Sequence, residues 1–424
     1  MRPILLLLLF FLQAISAPAQ PSITWKKALG SPGDERPGLV QAASDGGYVV
    51  VGKGAMNGGN ITGNHGGGDI WVAKLDATGN LVWQKALGGT GIEEGRGIRQ
   101  TPDGGYIVIG DTNTPNDGDV SGMHIFNVGF DVWVVKISST GVIEWQRCYG
   151  GSENDYGYSV SLTPDGGYIF GAQTRSSDGD VTGNPFNSDR AWLIKTNSTG
   201  VIQWQSGITI AYMNNVEPTA DGGYIAACFS AGIVPGAEVT CGMGGYDILL
   251  VKFSSTGAIV WQKCLGGSVA DFPGSVQQTT DGGYIVGGYT GSTDGDVVGL
   301  HGQTDAWIAK VNSAGVLEWQ RCLGGTGNDF GFCARQTSDG GYVMAAELAS
   351  DDGDVTAFNG GFWIIKMNAT GTIQWQKNFG ATFLQFGDER PRWIEETADG
   401  GYIIDGTVHF SGGDVTGVNG GLDY

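Results

Sequence analysis

Positive charge is scarce in this chain: 23 Lys and Arg stand against 43 Asp and Glu, a formal net charge of −20. That imbalance argues against nucleic acid as a partner, because phosphates would be repelled. Cations, neutral ligands such as glycans, and plain solubility all remain compatible with it. Long apolar runs are missing too. The one unbroken stretch, residues 4–12, falls far short of the ~20 residues that a membrane-spanning helix needs. The six cysteines are too few, over this length, for a disulfide scaffold. The four histidines (His65, His124, His301 and His409) are dispersed on loops and suggest no metal cluster. No G-x-S-x-G, H-E-x-x-H or phosphate-loop motif is present. The chain is therefore read as non-enzymatic, although a carboxylate pair assembled from distant segments for glycoside cleavage stays open. No useful stretch has a helical period.

Glycine, by contrast, is abundant, with 76 copies, far above its usual ~7% share. Its distribution follows a repeat. Asp-Gly-Gly-Tyr recurs at Asp45, Asp103, Asp165, Asp221, Asp281, Asp339 and Asp399, at intervals of 56 to 62 residues. Such a period marks a solenoid, a propeller or an array. Within one unit, Pro102-Asp103-Gly104-Gly105 is a tight turn and Tyr106 to Ile109 a buried strand. A longer loop with Asp117-Gly118-Asp119-Val120 leads to a third strand from Asp131. Ser139-Thr140-Gly141 then turns the chain into a fourth strand containing Trp145 and Cys148. Four antiparallel strands in about 60 residues match a propeller blade. The expected fold is all-β: a seven-bladed β-propeller of four-stranded antiparallel blades over residues 20–424, which predicts a monomer.

The ends carry two further expectations. Met1-Arg2-Pro3, the apolar run and Ala17-Pro18-Ala19 form a secretory signal peptide over residues 1–19. No cysteine stands at the cleavage point, so lipid anchoring is not indicated, and the mature protein is expected to be secreted or at the cell surface. Its first segment, Ile23 to Leu29, reads as a fourth strand that closes the seventh blade. The third strand of that blade, of the D-x-W-V-x-K type, has no counterpart before Tyr424. This reads as a truncated sequence, with a three-stranded closing blade as the alternative.

The stretch from Lys74 through Asp76, Thr78 and Gly79 to Trp83 resembles the tryptophan-docking element of quinoprotein-like propellers. It returns from Gly141 to Trp145, Gly200 to Trp204, Gly257 to Trp261, Gly315 to Trp319 and Gly371 to Trp375. With D-G-G-Y-I-V and D-G-D-V-x-G, the whole unit is similar to the repeats of secreted and cell-surface propeller proteins of Bacteroidetes. Those often carry a C-terminal sorting module for type IX secretion. The resemblance spans nearly the whole mature chain and implies fold and export, but hardly any activity. The cofactor-binding set and usual eight blades of the quinoprotein enzymes are not matched. Nor is the sugar signature of bulb-type lectins, so carbohydrate binding stands only as an alternative.

A site is expected on the face of the variable loops. The inter-blade loops carry Glu35, Glu93, Asp155, Asp271, Asp329 and Asp388 at matching places, followed by Tyr156, Phe272 and Phe330. Arg36 and Arg390 lie in two similar loops that ring closure would bring together. These residues form either a small polar site for a glycan or protein ligand, or solvated ion pairs of little consequence. The loop pairs Asp117 and Asp119, Asp178 and Asp180, Asp294 and Asp296, and Asp352 and Asp354 could offer oxygens to Ca²⁺, or simply cap turns. The Tyr of D-G-G-Y and the Trp of W-Q are expected in the core between blades. Cys148, Cys264 and Cys322 share one repeat position and read as small buried side chains. Cys228 and Cys241 flank the loop that lost its acidic pair, where a disulfide between them would hold it.

Overall fold

A computed structural model describes residues 22–408, apart from 125–128, 185–187, 210, 231–240, 242–243, 357, 359–360 and 381–388. Every element assigned within them is a strand. The first blade comprises β1 (Arg36–Ala42), β2 (Tyr48–Gly54), β3 (Asp69–Leu75) and β4 (Leu81–Leu87). The second comprises β5 (Glu93–Gln100), β6 (Tyr106–Thr112), β7 (Asp131–Ile137) and β8 (Ile143–Tyr149). The third comprises β9 (Asp155–Leu162), β10 (Tyr168–Thr174), β11 (Arg190–Thr196) and β12 (Ile202–Thr209). The fourth follows with β13 (Ala211–Pro218), β14 (Tyr224–Ser230), β15 (Asp247–Phe253) and β16 (Ile259–Leu265). The fifth has β17 (Asp271–Gln278), β18 (Tyr284–Thr290), β19 (Asp305–Val311) and β20 (Leu317–Leu323). The sixth has β21 (Phe330–Gln336), β22 (Tyr342–Glu347), β23 (Phe362–Met367) and β24 (Ile373–Phe379), and β25 (Glu389–Glu396) and β26 (Tyr402–Val408) end the series. Each sheet is an antiparallel meander in chain order. The first strands touch their neighbours all the way round, from β1 through β5, β9, β13, β17 and β21 to β25, which meets β1 again. The chain is a β-propeller.

Local chemistry fixes each blade. In the first turn, Gly46 has φ +84°, a conformation that favours glycine, and the Asp45 carboxylate accepts the Gly47 N–H at 3.0 Å. The buried lysine of the third strand reaches back to this aspartate, as Lys74 Nζ does to Asp45 at 2.9 Å. In five blades the third strand also carries a buried tryptophan whose indole N–H donates to the glutamine of W-Q. Trp71 to Gln84 at 2.8 Å is one instance. The W-Q tryptophan itself packs on the next blade, Trp83 against Tyr106 at 6.1 Å and Trp145 against Tyr168 at 6.1 Å. Both expected aromatic sets are thus core between blades.

Two expectations are corrected. Among the described residues there are six four-stranded sheets, not seven, and the seventh repeat supplies only the pair β25–β26. Residues 22–29 form no strand. Trp25 nevertheless docks on Tyr48 at 5.4 Å, the place a preceding blade's W-Q tryptophan would take. Ladder pairing fails because no third strand lies between this segment and β26 among the described residues.

The disulfide is the second correction. Cys241 is bonded to Cys264, not to Cys228, with Cα atoms 5.5 Å apart. Cys228 is a free, buried thiol near the Met213 sulfur at 3.6 Å. The fourth blade has Leu249 where five others have tryptophan, and Cys264 lies opposite it. Cys148 and Cys322 remain free and buried as expected. With a sequence separation of 23, the bond should contribute about 3 kcal/mol by restricting the unfolded chain. Cys264→Ser is expected to lower the urea midpoint accordingly, and coincident unfolding curves for oxidised and reduced protein would refute this.

Candidate functional site

The inter-blade acids are placed inside the walls between blades. Glu35, Glu93, Asp155, Asp271 and Asp329 are fully buried. Glu93 accepts from Thr112 Oγ1 at 2.7 Å, from Gly89 N at 3.1 Å and from Thr114 Oγ1. Asp155 accepts from Ser176 Oγ and Gly151 N, Asp271 from Thr290, Ser292 and Gly267, and Asp329 from Ser350, Gly325 and Ala349. Glu35 takes Ser31 Oγ and Ala55 N. These carboxylates pin each loop to the following blade and do not line a ligand surface. Asp388 lies outside the described residues.

The D-G-D-V loops clasp the same inter-blade loops from outside. The first acid of each pair accepts a backbone N–H there: Asp117 from Thr90 at 2.9 Å, Asp178 from Ser152 at 2.7 Å, Asp294 from Ser268 at 2.6 Å and Asp352 from Thr326 at 2.7 Å. The second acid turns elsewhere: Asp119 to Gly88 N, Asp180 to His124, Asp296 to Lys263 and Asp354 to Gly324 N. The two carboxylates of a pair thus serve different partners. Among the described residues no three His, Cys, Asp or Glu side chains group as a metal ion would require. Three histidines share one repeat position. His65, His124 and His301 each bring Nδ1 to the first aspartate of the third strand, Asp69, Asp131 and Asp305, at 2.6 to 2.8 Å.

The first strands surround the propeller axis, and their loop-side ends form its mouth. One aligned position at the start of each first strand forms an inner ring: Arg36, Glu94, Tyr156, Tyr212, Phe272, Phe330 and Arg390. Each pairs with a second-strand residue: Lys53, Asp111, Gln173, Phe229, Tyr289, Glu347 and Thr407 in turn. An acid precedes the first-strand position in six of the seven repeats, whereas the repeats diverge at the paired positions themselves. One half of the mouth is aromatic. Tyr212 stacks on Phe229 at 4.9 Å, Phe229 meets Phe272 at 5.2 Å, Phe272 meets Tyr289 at 5.2 Å, and Tyr289 meets Phe330 at 4.9 Å. Tyr246, 37% exposed, leans on Phe229 and Phe272.

The other half is charged. Arg96 binds Asp111 at 2.9 Å and lies over the Tyr158 ring at 5.1 Å. Glu94 faces Arg36 at 3.6 Å and Arg96 at 3.4 Å, and Arg390 meets Glu347 at 3.1 Å. Arg36 and Arg390 thus pair with acids of other strands rather than within their own loops. Arg175 holds Asp189 at 2.6 Å, which also accepts Tyr212 Oη at 3.1 Å. Burial pushes Asp111 up to about 6 against the pull of Arg96.

Of the expected residues, the structure brings Phe272 and Phe330 together through Tyr289, with Tyr156 farther round the ring. The second-strand partners Phe229 and Tyr289, and Tyr212, were missed. Aligning the repeats on D-G-G-Y exposes them, since the twelfth residue before and the fifth residue after each Tyr change character from blade to blade.

No family model matches the chain, and no curated protein matches it. Among solved structures, hydrazine synthase of Kuenenia stuttgartiensis aligns at 13% identity over 77% of this chain and 80% of its own, with a TM-score of 0.47. YCF48 bound to D1 peptide aligns at 9% identity over 94% and 96%, with a TM-score of 0.48. A protein of unknown function from Bacteroides caccae aligns at 11% identity over 78% and 93%, with a TM-score of 0.44. Each is a likeness of fold alone.

Proposed function

We propose that this protein is a non-enzymatic binding propeller, exported to the cell surface or beyond, which holds a neutral ligand at the mouth of its channel. The aromatic arc from Tyr212 to Phe330 carries this reading. Ring faces beside Arg and carboxylate groups suit the apolar face and hydroxyls of a sugar, and a net charge of −20 disfavours polyanions. The carboxylates at the mouth are engaged by arginines, an arrangement that fits holding better than proton transfer. A glycan array with the full chain tests the proposal. A hit should weaken about tenfold or more in a Phe272→Ala/Tyr289→Ala variant, as for central anchors of an interface. Hits unaffected by that variant would move the site elsewhere. Release of reducing ends from any bound polysaccharide would favour a hydrolase.

A further inference from the structure

Each first strand carries a β-bulge one step below the mouth. The bulged residue is Gly38 on β1, Arg96 on β5, Tyr158 on β9, Asn214 on β13, Phe332 on β21 and Arg392 on β25. A bulge bends its strand and re-aims a side chain. Solvent reaches these residues, while those immediately before and after them are buried. They form a second ring inside the channel. Beneath it Glu217 pairs with Arg335, whose guanidinium lies against Trp393.

Charge in the two rings is matched except at one place. Arg36 faces Glu94 at 3.6 Å, Arg96 binds Asp111 at 2.9 Å, and Arg390 meets Glu347 at 3.1 Å. Three arginines thus have three acids. Arg392, the fourth, is exposed and makes no hydrogen bond or ion pair among the described residues. Charges drawn out of bulk water are normally paired. The channel wall lowers the proton affinity of this guanidinium, chiefly by burial and then through Arg96, with Arg390 adding to it; Asp405 and Glu94 pull the other way. In the second ring Arg392 stands between Phe332 on one neighbouring first strand and Gly38 on the other. One neighbour is apolar and the other has no side chain, so neither supplies a counter-charge.

We propose that Arg392 holds a single carboxylate of the bound ligand, whose innermost unit is a hexuronic acid. The planar guanidinium gives two parallel N–H bonds to the two carboxylate oxygens. The sugar ring then lies against the aromatic arc, which ends at Phe330 on the neighbouring first strand. This inference rests on the mouth as the binding site and extends its ligand from wholly neutral sugars to a chain with one acidic end. A net charge of −20 opposes polyanions, whereas one carboxylate against one unpaired guanidinium evens the local balance.

Titration calorimetry of the full chain with D-glucuronate, D-galacturonate and D-mannuronate, each beside its parent hexose, tests this. At least one hexuronate should bind about tenfold or more tightly than its hexose, as a charge-assisted bidentate pair implies. Arg392→Gln should remove that preference and leave the hexose unchanged. Arg147→Gln, which removes an exposed cation on the outermost strand of the second blade, should leave the preference intact. The proposal is overturned if no hexuronate is preferred, if the preference survives Arg392→Gln, or if Arg147→Gln reduces it equally. Hexose binding that is lost in Phe272→Ala/Tyr289→Ala, with no preference for the acid, would keep the mouth and discard the Arg392 subsite. A preference that depends on Arg392 but not on those two rings would keep the subsite and move the sugar off the arc.

Discussion

Glu217→Ala should cost about 3–5 kcal/mol of folding stability, the range for removing one partner of a buried ion pair. Glu217 on β13 meets Arg335 on β21 across the intervening fifth blade. Both side chains are largely buried, 16% and 9% exposed. The Arg335 guanidinium also lies 4.0 Å from the centre of the Trp393 ring, which Arg99 approaches at 5.3 Å. Strands β5, β13, β21 and β25 are thus tied together across the channel below the mouth. Without the carboxylate, Arg335 keeps its ring but loses its counter-charge where water is largely excluded, and most of the cost comes from that unpaired cation. Glu217→Gln, which retains an acceptor, should cost clearly less. Arg335→Met combined with Glu217→Ala should recover part of the loss, since two apolar groups leave no buried charge. Urea unfolding of the four proteins measures this. A loss below about 0.5 kcal/mol for Glu217→Ala would mean that the network does not brace the ring.

Blade architecture was legible because its determinants are consecutive residues. Asp, Gly and Gly make a turn by themselves, and Thr-Gly before a tryptophan makes the next one. The missing information is non-local. Glu93 looked like an exposed loop acid, yet its partners Thr112 and Thr114 lie at the far end of the next hairpin. The same Thr or Ser spacing after other second strands, as in Thr290 and Ser292, was the available sign. Cys241 was paired with its neighbour in sequence, while its true partner sits two strands away on β16. Leu249 in place of tryptophan marked that blade as different. Seven D-G-G-Y motifs correspond, among the described residues, to six four-stranded sheets and the pair β25–β26. The mouth was half visible. Phe272 and Phe330 stood in the loops, but Tyr289, which joins them, lies beyond the four residues after each D-G-G turn that were read as a buried strand.

Acidification from pH 7.5 to 5 should stabilise the protein. Burial pushes Asp111 and Asp155 up to about 6 and Asp405 up to about 7. Asp69, Glu93 and Asp271 are shifted the same way, also by burial. In the unfolded chain an aspartate releases its proton near 3.8. Between about 4 and 7 the folded state therefore holds more protons, and stability falls as pH rises through that window. Asp111, Asp155 and Asp405 each contribute on the order of 1–3 kcal/mol. His124 acts in the same direction, because its hydrogen bond to Asp131 raises it; its contribution is fully present below the unfolded value and is lost as pH climbs past the folded one. The opposing groups do not interfere. Asp103, Asp165, Asp221, Asp281 and Asp339 are held near about 2, so their stabilisation is complete above about 4 and disappears only as pH falls through 2. Thermal unfolding at pH 5.0, 6.0 and 7.5 should show the midpoint rising on acidification. Asp405→Asn should raise the midpoint at pH 7.5 and flatten the profile, because Asp405 stands where the other second strands place Val51, Ile109, Gly171, Ala227, Gly287 and Ala345. A midpoint that is level or rises from pH 5.0 to 7.5 would show that these carboxyl groups ionise in the folded protein as freely as in water.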